Sequence, residues 1–362
     1  MRPLLPVPAV PGPELSAALR RAVDGTGPAV LPLSSDPAEA ARVLAALRPE
    51  VPLEDEEVCL VVPTSGSTGE PKGVLLTAAS LQASGDAALS RLGGPGRWHL
   101  ALPVTHIGGL QVLLRSLATG EEPATSFDQL GTGRRYVSLV PTQLRRLLVS
   151  APSQLASYDA ILLGGAAAPA ALLSEARAKG VAVVTTYGMS ETSGGCVYDG
   201  VPLDGVTITV GERIGLSGAV VARGYRLQPD LTAASFDGDR FTTGDVGVLA
   251  EGVLTVLGRA DDLIVTGGEK VAPAAVEAAL SEHPSVAEVA VVGIVDPEWG
   301  ARVAAFVVLR PGTPLALDDA RAWVAERVSQ VAAPRSLTVL EALPLLPGGK
   351  LDRAALQRPS FP

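Results

Sequence analysis

The 362-residue chain has little sulfur and little lysine. Cys59 and Cys196 are too few for a disulfide framework and lack the paired spacing of a zinc site, so both are expected to be reduced and structural. A basic stripe is missing as well. The net charge of -9 and a pI near 5.0 argue against a nucleic-acid partner and for a soluble metabolite. No apolar run approaches the length of a membrane span, and the start, Met1-Arg2-Pro3-Leu4-Leu5-Pro6-Val7-Pro8, is too broken by proline for a signal segment. The expectation is a cytoplasmic protein. Lysine occurs only at Lys72, Lys179, Lys270 and Lys350 in a chain that otherwise uses arginine, and three of the four sit in glycine-containing loops. A lysine retained against that bias suits a compact point charge that must reach a phosphate.

What is present is apolar: 47% of the residues are hydrophobic and the mean hydropathy is +0.31, enough for more than one core. The stretch Thr64-Ser65-Gly66-Ser67-Thr68-Gly69-Glu70-Pro71-Lys72-Gly73 follows a buried-strand pattern at 58–62. Its hydroxyls, glycines and lysine form a loop of donors suited to a polyphosphate. It is not a Walker A loop, because the second glycine that pattern needs falls on Pro71. After it, strand and helix patterns alternate to about residue 186, which implies an α/β fold with a largely parallel sheet. Residues 206–257 read as short strands between glycine turns, a small barrel-like or antiparallel part. Helix, two strands, helix and strand follow. The expected organisation is a large domain over residues 1–258 and a small α+β domain over 259–362.

Read with the loop, several later stretches resemble the adenylate-forming superfamily of acyl- and aryl-CoA ligases, luciferases and peptide-synthetase adenylation domains. Tyr187-Gly188-Met189-Ser190-Glu191-Thr192 is similar to that family's Tyr-Gly-x-Thr/Ser-Glu segment, Thr243-Gly244-Asp245 to its ribose-binding Thr-Gly-Asp, and Pro347-Gly348-Gly349-Lys350-Leu351-Asp352-Arg353 to its C-terminal signature. The resemblance implies a mobile small domain, with Mg2+, ATP and CoA taking part in catalysis. It assigns the nucleotide to Thr64, Ser65, Gly66, Ser67, Thr68, Gly69, Lys72, Gly164, Gly165, Ala166, Tyr187, Gly188, Ser190, Asp245 and Arg259. Glu191 would hold the metal, Asp261 would be the hinge, Gly267 and Gly268 would line the CoA tunnel, and Lys350 would stabilise the transition state.

The acyl substrate is assigned to His106, Thr142, Gly188 and Ser190, with His106 as a gate and a catalytic residue. No acid follows Val104-Thr105-His106-Ile107-Gly108-Gly109, which disfavours amino-acid activation. That stretch, Ser138 to Leu148 and Leu162-Leu163-Gly164-Gly165 are most similar to the o-succinylbenzoate-CoA ligases of menaquinone biosynthesis. The implied substrate is an aromatic keto dicarboxylate, whose second carboxylate would meet Arg145 or Arg146, or Ser190 and Thr192. Another acyl- or aryl-CoA ligase, or a non-catalytic adenylate-binding protein, remains the alternative. Fewer than 65 residues precede the phosphate loop, less than is general in the superfamily, so either the acyl pocket is walled by less protein or a partner subunit, as in a homodimer, covers the open flank.

Overall fold

The computed structural model describes residues 2–65, 70–344 and 351–358. A first sheet orders its strands Leu4–Pro8, Ala29–Leu33, Val58–Ser65, Pro71–Thr77 and Gly224–Tyr225. The first three run parallel, linked by the crossover helices Pro13–Val23 and Pro37–Leu47, and the last two are antiparallel. Sequence patterning places no strand before residue 58, and the two extra strands are proline-bearing. The strand with Pro6 and Pro8 lies at the sheet edge, where a missing N–H leaves no ladder partner unsatisfied.

The second sheet carries the alternation seen in the sequence. Arg97–His99, Arg135–Leu139, Ala160–Leu163 and Val183–Met189 are parallel neighbours, and Gly194–Tyr198 and Val201–Pro202 extend the sheet antiparallel. Between the sheets lie helices Ala78–Arg91, whose start is capped by the reciprocal pair Thr77 and Ser80, and Ile107–Ala118. Leu110, Leu113 and Leu117 pack toward the first sheet and Val112 toward the second, so one helix serves two cores.

Residues 207–259 form an open four-stranded antiparallel sheet and a separate hairpin, Asp245–Ala250 with Val253–Arg259. Among the described residues these strands do not close into a barrel. Beyond them, strands Ile264–Thr266, Glu269–Val271, Val286–Asp296, Gly300–Leu309 and Ser336–Val339 make one sheet covered by helices Pro273–Ser281 and Leu317–Arg327. That sheet has its own core around Val276, Leu280, Val291, Val303 and Val324. Among the described residues, no helix is long and apolar enough to cross a membrane.

Candidate active site

The phosphate-loop stretch is flanked by two antiparallel strands, Val58–Ser65 and Pro71–Thr77. Ser65 pairs with Pro71 and Thr64 with Lys72, and the Thr64 hydroxyl lies 3.4 Å from the Lys72 carbonyl. Gly66, Ser67, Thr68 and Gly69 lie outside the described residues. Lys72 extends its ammonium over the ring of Tyr225, 5.6 Å from the centroid. Tyr225 is beside it because its strand pairs with the one carrying Val74 and Leu75.

The strand Val183–Met189 runs out of the parallel sheet through Tyr187 and Gly188 and ends in a single turn, Ser190–Thr192. Ligands of open α/β sheets gather at this carboxyl edge. Gly188 is required by close approach: a Cβ there would lie 2.2 Å from the Gly194 carbonyl oxygen. The turn is pinned from beneath. Ser193 takes a left-handed conformation, and its carbonyl accepts from Ser84 Oγ at 3.0 Å and Gln111 Nε2 at 2.6 Å, one donor from each helix between the sheets. Ser190 is buried, and the Glu191 backbone carbonyl accepts from Ala222 N at 2.9 Å. The Glu191 carboxylate takes the Tyr225 hydroxyl at 2.8 Å on Oε1.

Asp245 and Arg259 sit opposite each other across the 245–259 hairpin. Arg259 Nη1 lies 3.4 Å from Asp245 Oδ1, and the Tyr187 hydroxyl donates to Asp245 Oδ2 at 2.8 Å. The Thr243 hydroxyl caps the Asp245 N–H at 3.0 Å. Burial first, then the Asp245 charge, pushes the Tyr187 hydroxyl well above the usual tyrosine range. Burial and then Glu191 do the same to Tyr225, while the Arg259 charge pulls the other way. The two groups are joined through the chain, since Tyr187 and Glu191 stand four residues apart at the same strand exit.

Other assigned residues line up less tightly. Gly164 abuts Thr186, where a Cβ would fall 2.4 Å from Oγ1, and Gly165 has φ +80°; with Ala166 they form the loop after strand Ala160–Leu163. His106 is the exposed residue before helix Ile107–Ala118, its Nδ1 3.0 Å from the Thr105 hydroxyl. Thr142, Arg145 and Arg146 are exposed on helix Pro141–Ser150. Asp261 faces Arg213 at 3.8 Å. Gly267 and Gly268 make the two-residue turn between short strands, with φ +59° and +84°, and Gly267 packs on Trp299. Lys350 lies outside the described residues. Three residues on, Arg353 is held by Glu277 at 2.7 Å and the Val291 carbonyl at 2.6 Å.

Two participants escaped the sequence reading: Tyr225, and Glu277 as the partner of Arg353. The only local signal for Tyr225 was an aromatic next to Gly224, just after a run of apolar residues.

Comparison with known proteins identifies the family. The AMP-binding enzyme family model matches residues 14–223, more than half of the chain, and the AMP-binding enzyme C-terminal domain model matches residues 275–350. The chain is 49% identical to a protein of Mycobacterium tuberculosis named probable 2-succinylbenzoate–CoA ligase, covering 95% of this chain and 94% of that one. It is similar to the o-succinylbenzoate CoA synthetase of Bacillus subtilis in complex with the acyl-adenylate intermediate OSB-AMP, with TM-score 0.73, 30% identity, and 95% and 81% of the two chains covered. The same enzyme in complex with ATP and a magnesium ion gives TM-score 0.72 and 32% identity over 84% of this chain and 71% of that one. With that family model matching more than half of its length and a relative 49% identical over 95% of it, the chain belongs to the family of AMP-binding enzymes.

Proposed function

We infer that the protein is an AMP-forming acid–CoA ligase that converts 2-succinylbenzoate, ATP and CoA into the CoA thioester, AMP and pyrophosphate. The single observation that carries this reading is that one strand exit, 187–191, touches both groups: Glu191 meets Tyr225, which lies under Lys72, and Tyr187 meets Asp245, which lies beside Arg259. Support for the acid comes from the relatives, which are named for it.

In the first step a substrate carboxylate oxygen attacks the α-phosphorus of ATP, and the bond to the bridging oxygen of pyrophosphate breaks. Asp245 keeps an open lone pair on each oxygen beside the Tyr187 and Arg259 contacts, which suits the two hydroxyls of a ribose. The face of Tyr187 would carry the adenine. Lys72 and the residues 64–69 would take phosphate oxygens, and Lys350 would neutralise charge building between carboxylate and phosphate. In the second step the CoA sulfur attacks the acyl carbon and AMP leaves, with Gly267 and Gly268 giving close backbone approach for the pantetheine arm. A boundary after residue 258, with a turn about Asp261 between the steps, is part of the same proposal.

Glu191 fits a magnesium ion of the kind that rides on a nucleotide. Its Oε1 is occupied by Tyr225, and among the described residues Oε2 has no protein donor. The described residues hold no cluster of three or more His, Cys, Asp or Glu that could cage a metal. One carboxylate plus phosphate oxygens and water is the ligand set magnesium accepts. When bound it would offset triphosphate charge.

The second carboxylate of the substrate would meet Arg145 or Arg146, neither of which has an acidic partner among the described residues, or the hydroxyls of Ser190 and Thr192. Thr142 and His106 would flank the acyl group.

The test is AMP formation with 2-succinylbenzoate, benzoate and a fatty acid, each with and without CoA. The expected result is CoA-dependent AMP with 2-succinylbenzoate and little with the others. Comparable rates with another acid would reassign the substrate. Absence of pyrophosphate with every acid would reduce the protein to a nucleotide binder.

A further inference from the structure

Tyr225 is fixed on all sides but one. Its backbone pairs with Val74, its N–H is held by Thr232 Oγ1 at 2.9 Å, and its ring packs edge-on against Phe236 at 5.3 Å. A Cβ on the preceding Gly224 would strike the Thr232 methyl at 2.3 Å, so only glycine lets the strand lie this close to the 229–235 helix. What remains is the hydroxyl, which donates to Glu191 Oε1 at 2.8 Å, while Lys72 sits over the ring.

We propose that Tyr225 is a positioning residue for nucleotide-bound metal, holding one oxygen of Glu191 so that the other is presented to the magnesium of Mg-ATP. The inference rests on the reading of Glu191 as the metal ligand. A carboxylate can only accept, so the phenol is the donor of this pair and fixes which Glu191 oxygen is taken. Without it, the carboxylate can rotate about its terminal bond and turn either oxygen to water or to Lys72. The phenol oxygen touches neither substrate nor metal in this account and acts only through Glu191.

ATP binding to the full chain, measured by calorimetry once with excess magnesium and once with EDTA, tests this. Tyr225→Phe leaves the ring against Phe236 and is expected to keep the parent's melting temperature. Its ATP affinity in EDTA should stay within about twofold of the parent. The gain in affinity on adding magnesium should fall by about tenfold, the scale of a hydrogen bond to a charged group. Glu191→Gln should lose at least as much of that gain, and the double variant should be no worse than Glu191→Gln alone. A parent-like magnesium gain in Tyr225→Phe beside a reduced one in Glu191→Gln would overturn the role of Tyr225 and leave the metal reading standing. A parent-like gain in both would remove the metal reading itself. Losses equal with and without magnesium, or additive in the double variant, would make Tyr225 merely structural.

Discussion

Cys59 and Cys196 have no exposed surface and no disulfide partner. Burial pushes both thiols up to about 12, against the opposing charge of Arg2 at Cys59 and the Thr192 hydroxyl at Cys196. Since the thiolate is the reactive form, an aromatic disulfide reagent at about pH 8 should label neither residue in the native protein and both in denaturant. A fast-reacting native thiol would contradict the burial. The same shift has a pH consequence. The unfolded thiols ionise near 9.0 while the folded ones keep their protons, so this contribution is intact below 9.0 and is lost as pH climbs toward 12. Urea midpoints measured across that range should fall. At this scale the sequence was informative where the chemistry is local: Glu191, Asp245 and Arg259 were legible because each motif carries its own turn. Tyr225 was not, since what makes it matter is a carboxylate 34 positions away.

Among the elements, the hairpin formed by Val183–Met189 and Gly194–Tyr198 is the one that the site cannot do without. It places Tyr187 and Glu191 at its end, and its close pairing leaves no room at Gly188. Gly188→Ala should part the two strands. The expected cost is roughly 1–3 kcal/mol of stability, read from urea denaturation, together with loss of ATP binding measured by calorimetry. Gly268, in contrast, has open space around it, so a substitution there meets backbone strain at φ +84° and no clash. Helices Pro37–Leu47 and Pro141–Ser150 begin at prolines, whose fixed φ and missing N–H suit the first helical position. Strands Leu4–Pro8 and Ala29–Leu33 were hidden by proline, which local propensity reads as a breaker; the first lies at the sheet edge, and in the second Pro32 stands near the strand's end.

For the molecule as a whole, Arg226 is the joint between the start of the chain and the site. Fully buried, it donates to the carbonyls of Leu47 at 3.0 Å, Arg48 at 3.0 Å and Pro52 at 2.7 Å, to that of Val51, and to the Glu54 carboxylate at 2.8 Å. It immediately follows Tyr225, so the segment 47–54 and the tyrosine are locked to one strand. Arg226→Leu would remove all five bonds, although Arg48, Pro52 and Glu54 reach solvent and water can take up part of the loss. About 1.5–3 kcal/mol of unfolding free energy should be lost, as read from urea denaturation. A change under about 1 kcal/mol would show that water replaces the guanidinium.

The sequence by itself determined the alternation of strand and helix and the separate apolar core of residues 264–339, because periodicity and turn chemistry are written within a few neighbouring residues. Only the tertiary structure decided that Tyr225 would steady Glu191, that Tyr187 would steady Asp245, and that Arg226 would gather the carbonyls of a loop more than 170 residues away. Those contacts depend on which strands become neighbours when the sheets assemble. A hydroxyl or guanidinium finds its partner only once burial has removed water as the competitor.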